Sequence, residues 1–79
     1  MALLTQKEFK RINKERNSIH VPVAAGYTVF THANTKIFQI DTYGTTDRQE
    51  PGKLSQSIQI DKPMAEILVS KLKEVFELE

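Results

Sequence analysis

The sequence predicts one α+β domain, an antiparallel sheet of about four strands followed by a C-terminal α-helix, and three patterns carry that expectation. The first lies between Lys36 and Ile60, where two alternating arms flank a polar loop. Phe38 and Ile40 oppose Gln39, Asp41 and Tyr43 on the first arm, and Leu54, Ile58 and Ile60 oppose Ser55, Ser57 and Gln59 on the second. A period of two marks half-buried strands. The second pattern is the recurrence of Met64, Ile67, Leu68, Leu72, Val75 and Phe76 at spacings of three and four, with Glu66, Lys71, Lys73 and Glu74 away from that stripe, as in an amphipathic helix. The third is continuity: no repeat, low-complexity run or linker divides the 79 residues. The expected organisation is a basic lead-in over residues 1–17, the sheet over 18–60 and the helix over 61–78.

Each element has its own warrant. Thr5 and Glu8 have capping-box spacing, with Phe9 and Ile12 able to share a helical face, but Asn13, Asn17 and Ser18 interrupt any longer helix, so the lead-in is read as short and irregular. Ile19, Val21 and Val23 alternate with His20 and Pro22 as in a strand, and proline, which lacks a backbone donor, assigns that strand to a sheet edge. Ala24, Ala25 and Gly26 form a small-residue break before Tyr27–Thr31, whose aromatic and β-branched residues suit a pleated surface. His32 to Thr35 reads as a hairpin connection, of a turn type that no glycine reveals. Asp61 is the expected N-cap of the final helix, with Pro63 in its first turn.

Composition narrows the function classes. The chain has no cysteine, which excludes disulfides and thiolate metal sites and favours an intracellular setting, cytoplasm or nucleoid or nucleus. No apolar run approaches the roughly 18 residues of a membrane span, and residues 1–10 lack the charged-then-apolar order of a signal peptide. A domain of this size buries only roughly 60% of the surface its unfolded chain exposes, which makes self-association an expectation. The formal charge is only +1, but it is uneven: Lys7 to Arg16 holds five bases and two acids, whereas Asp61 onward holds three bases and five acids.

Catalytic readings find little support. His20 and His32 fall on separate elements without zinc-motif spacing. Asp47, Glu50 and Lys53 have the composition of a metal-dependent nuclease site, but Pro51 and Gly52 make that stretch a turn, and metal ligands need rigid elements. Ser55 and Ser57 lack a neighbouring base, and no glycine-rich loop opens a helix. The expectation is a non-enzyme without cofactor or metal.

Binding is better supported. Lys10, Arg11, Lys14 and Arg16 in the lead-in, Lys36, Arg48 and Lys53 around the hairpin, and Gln59 on the polar row supply cations and hydrogen-bonding groups, while Tyr43, Tyr27 and Phe30 supply aromatic faces. Cations that follow phosphates beside rings that stack on bases are the mixture that holds single-stranded nucleic acid.

The same pieces in order, RINKERNSIHVPV, FQIDTYG, PGKLSQSIQI and PMAEILVSKLKEVF, are spread from about Ile12 to Phe76. In that order they resemble the single-stranded DNA-binding domain of the transcriptional coactivator called positive cofactor four. The resemblance implies a curved antiparallel sheet, a homodimer joined through helices and sheet edges, and paired concave faces that accept single-stranded or melted DNA. Asp41 stands where that family tends to place an arginine, and Leu54 to Gln56 replace the glycine expected soon after the loop lysine. A carboxylate on the binding face repels phosphate.

The functional expectation is therefore a small homodimer, joined through its C-terminal helix, that binds nucleic acid, single-stranded DNA in preference, as a non-catalytic accessory of transcription or DNA transactions. The alternative is a protein-interaction module that uses the sheet edge or the helix stripe and involves no nucleic acid.

Overall fold

A computed structural model of the protein describes residues 1–44 and 54–79. It is an α+β fold, a four-stranded sheet followed by a helix: β1 (Ala2–Leu4), a single 3-10 turn (Gln6–Glu8), β2 (Ala24–His32), β3 (Thr35–Tyr43), β4 (Leu54–Ile60) and α1 (Lys62–Phe76). The strand order is β1-β4-β3-β2, antiparallel for β2–β3 and β3–β4. β1 pairs with β4 in parallel, Ala2 opposite Ile58 and Leu4 opposite Ile60, so the sheet is mixed at that edge. Three residues inside the expected lead-in carry too short a pattern to be read as a strand; β4 supplies the ladder that makes them one.

The other edge begins later than expected. Ile19, Val21 and Val23 belong to no strand, and β2 starts at Ala24, inside the small-residue stretch expected to be a break. Alternation had suggested strand at Ile19–Val23, but a strand needs a ladder partner, and β3 ends where Tyr43 meets Ala24. At the opposite end of β2 the chain reverses in two residues, Ala33 and Asn34, both with positive φ (48° and 63°). Positive φ at both central residues gives the type I′ turn that matches strand twist.

At Tyr43 the register shifts, so that Thr42 pairs with Gln56 and Tyr43 with Leu54. The extra residue, Ser55, bulges and turns Leu54 onto the face of Tyr43, whereas strict alternation had assigned Leu54 to the face of Ile58 and Ile60.

Helix α1 starts where Asp61 was expected to cap it: its Oδ1 accepts from the Met64 backbone N–H at 3.0 Å, and Pro63 occupies the first turn. It ends at Glu77 in the left-handed conformation, with Leu78 N–H returning to the Lys73 carbonyl at 3.0 Å. The capping-box spacing of Thr5 and Glu8 makes no cap, since the Thr5 side chain makes no capping hydrogen bond, and a single 3-10 turn follows it, as a short irregular lead-in implies.

The described core is small. Met64 is fully buried and Ile37 nearly so, and they are the only buried apolar side chains among the described residues. Leu72, Val75 and Phe76, which continue the helix stripe toward its C-terminus, stay exposed, as does Val69 beside them. No helix among the described residues is long and apolar enough to cross a membrane.

Candidate nucleic-acid interface

Ladder register assigns the two faces of the sheet. Directly opposed residues share a face, so Tyr27, Val29, Phe38, Ile40, Ile58 and Ile60 form one apolar face, and Gln39, Asp41, Tyr43, Ser57 and Gln59 form the other, with Phe30 and Ile37 beside them. The exposure of these faces inverts the usual order. Tyr27 is 68% exposed, and Val29, Ile40 and Ile58 are also exposed, whereas Ser57 is buried and Gln39, Asp41 and Gln59 are half-buried.

The polar face holds a directed hydrogen-bond relay. Gln59 Nε2 donates to Gln39 Oε1 at 2.7 Å, and Gln39 Nε2 donates to Asp41 Oδ1 at 2.9 Å. An ionised carboxylate only accepts, so Asp41 orients the Gln39 amide, and the Gln39 oxygen then orients Gln59. Gln39 and Gln59 are direct cross-strand partners of β3 and β4, and Asp41 is two residues further along β3 opposite Ser57. The result is a row of fixed amides ending in a carboxylate. Tyr43 continues that row, paired with Ala24 on one side and Leu54 on the other, and Met1, Ala2 and Leu3 line a shallow depression beside Gln39, Leu54, Ser57 and Gln59.

The expected site residues separate into four groups. Tyr43 and Gln59 share the relay face. Lys36 lies on the apolar face opposite Thr31, in a groove with Val29, Phe38, Ile60 and Ala65. Lys10 and Arg11 run beside α1, near Ile67, Lys71, Glu74 and Val75, while Lys14 and Arg16 are exposed on the irregular segment that precedes β2. Arg48 and Lys53, with Asp47 and Glu50 of the nuclease reading, lie outside the described residues.

Of the other aromatics, Tyr27 stacks on Phe38 with centroids 5.0 Å apart and planes 17° from parallel, on the apolar face. One side of its ring is therefore already occupied by a protein neighbour. Phe30 shares the relay face through its pairing with Ile37. Gln39, Asp41 and Ser57 share this face although the expected site omitted them; the signal was their alternation with Phe38, Ile40 and Ile58, which marks a face but not a hydrogen-bond relay. Among the described residues no group of three His, Cys, Asp or Glu is arranged to hold a metal ion.

No protein-family model matches the chain, and no significant match is found among curated proteins or solved structures.

Proposed function

We propose that the protein binds single-stranded nucleic acid, DNA in preference, through the face of β3 and β4, and serves as a non-catalytic accessory in transcription or another DNA transaction. The observation that carries this reading is the Gln59–Gln39–Asp41 relay beside Tyr43. Oriented amides and a carboxylate are groups that read base edges, and a tyrosine on the same face can stack on a base. The resemblance to the single-stranded DNA-binding domain of positive cofactor four supports the same ligand class.

The chemistry also sets a preference. Asp41 accepts hydrogen bonds and repels phosphate, so this face favours bases that present amino groups, cytosine, adenine and guanine, over thymine. Phosphate attraction falls to cations away from the relay, among which Lys14 and Arg16 are exposed. Titration of labelled dC, dA and dT oligonucleotides, single-stranded and duplex, at low and high salt tests the reading. The expected result is tighter binding of single strands, several-fold weaker binding of dT, and affinity that falls as salt rises. Absence of binding to every oligonucleotide at low salt would refute it.

The second part of the proposal is a homodimer. The C-terminal part of the helix stripe, Leu72, Val75 and Phe76, is exposed in one protomer, and a second copy that brings its own stripe is a chemically matched cover. If the oligonucleotides do not bind, the same uncovered stripe and sheet edge support the protein-interaction reading instead.

A further inference from the structure

Gly26 lies inside β2, with paired residues on both sides of it, Ala25 opposite Thr42 and Tyr27 opposite Ile40. A glycine in that position weakens a strand, since it has no side chain to pack and more backbone freedom to lose. Two structural causes commonly justify one, and neither holds here. Its φ is outside the left-handed region, and a Cβ added to it meets no heavy atom of the described residues within 4 Å. The remaining cause of a strand glycine is a ligand that comes close to the main chain.

The open space adjoins the acidic end of the relay. Gly26 is directly opposite Asp41 and shares its face, and Ser57 is opposite Asp41 on the other side. These two flanks differ. The two-residue turn at Ala33 and Asn34 makes His32 and Thr35 a hydrogen-bonded pair, and antiparallel alternation then makes Gly26–Asp41 another, with Cα atoms about 5.5 Å apart, and Asp41–Ser57 a non-hydrogen-bonded pair at about 4.5 Å. Ser57 is buried and closes the nearer flank, whereas Gly26 is exposed and leaves the wider one open. The carboxylate there has acceptor capacity to spare. Oδ1 accepts from Gln39 Nε2 at 2.9 Å, which uses one of the roughly four lone-pair sites of an ionised carboxylate.

Two carboxylate oxygens fit two adjacent donors. Among unstacked bases only guanine offers such a pair, the N1–H and the N2 amino group side by side on its Watson–Crick edge. Cytosine and adenine each place one exocyclic amino group beside a ring nitrogen whose lone pair faces the second carboxylate oxygen, and thymine places its N3–H between two carbonyls. We propose that Gly26 and Asp41 form a guanine-recognition subsite on the relay face. The base passes over Gly26, donates N1–H and N2–H to the Asp41 carboxylate, and stacks on Tyr43, two residues along the same strand and face. This rests on the single-strand reading above and narrows it from amino-bearing bases to one base. Asp41 then acts as a specificity determinant: its charge weakens binding of every strand, and only a guanine at this position offsets the loss.

Runs of guanine self-associate, so the probe is a dT oligonucleotide with a single central dG, compared with the same strand carrying inosine, dA, dC or dT at that position. Inosine is guanine without the N2 amino group. The dG probe should bind roughly 5- to 160-fold tighter than the all-dT strand, the discrimination of one bidentate pair, and inosine should lose most of that gain. Gly26→Val fills the open space with a residue that favours strands, so its melting temperature should equal or exceed that of the wild type while the dG preference disappears and all-dT affinity stays the same. If the valine variant melts lower, Gly26→Ala, with one added carbon, should still reduce the preference. Equal binding of the dG, inosine and all-dT probes by the wild type, or a dG preference that survives in a folded Gly26→Val protein, would overturn the subsite and leave the single-strand reading standing. No binding of any probe at low salt would overturn both.

Discussion

Replacing Tyr43 with leucine separates a base-stacking role from a packing role. The ring lies on the relay face, flanked across the ladder by Ala24, which is small, and by Leu54, which reaches that face only because of the bulge at Ser55. It is half-buried and makes no aromatic pair of its own, unlike Tyr27 on Phe38. Leucine keeps much of the apolar volume against Leu54 and removes the flat face and the hydroxyl. Loss of one base–aromatic stack costs roughly 1–3 kcal/mol, which is roughly a 5- to 160-fold rise in Kd. The stability change should be well under the roughly 3–5 kcal/mol of a deleted core aromatic, because the ring is not enclosed. Fluorescence anisotropy with a single-stranded oligonucleotide and thermal melting of the same preparation give both quantities. A melting temperature lowered by many degrees with unchanged affinity would refute the stacking role and return Tyr43 to the core.

Other consequences can be tested in parallel. Asp41→Asn removes the repulsion of phosphate and the strongest acceptor of the relay, so affinity should rise a few-fold while the preference for amino-bearing bases over thymine shrinks, as read by competition between dC and dT oligonucleotides. Arg16→Ala should make the dependence of log affinity on log salt shallower by about one contact, whereas Lys36→Ala, on the opposite face, should leave it unchanged; equal slopes in both variants would count against the division of the faces. Asp61→Ala removes the cap bond to Met64 N–H and should cost about 1 kcal/mol in denaturant unfolding. Ala33→Gly relieves a left-handed alanine in the hairpin turn and should offset part of such a loss, by up to about 1 kcal/mol, read in the same assay.

Local patterns determined much of this protein from sequence alone. The helix with its Asp61 cap, the two alternating arms, and the opposition of Gln39, Asp41 and Tyr43 to Phe38 and Ile40 all depend on residues near one another in the chain, whose spacing is physical information in itself. Tertiary structure decided what depends on partners distant in sequence. Ala2–Leu4 are a strand because β4 accepts them in parallel, while Ile19–Val23, with the better alternation, find no ladder partner among the described residues, β3 ending at Tyr43. Leu54 changes face because Tyr43 sets the register, which no reading of β4 by itself contains. The hairpin turn is type I′ without a glycine because the paired strands on both sides hold Ala33 at positive φ. Ladder register and tertiary packing separate the expected contact residues: Lys36 and Gln59 are both on the sheet, yet they face opposite sides, and Lys10 and Arg11 lie beside the helix. Alternation tells which residues share a face, but which face lies open to water is set by what packs against it, and here the apolar one is open.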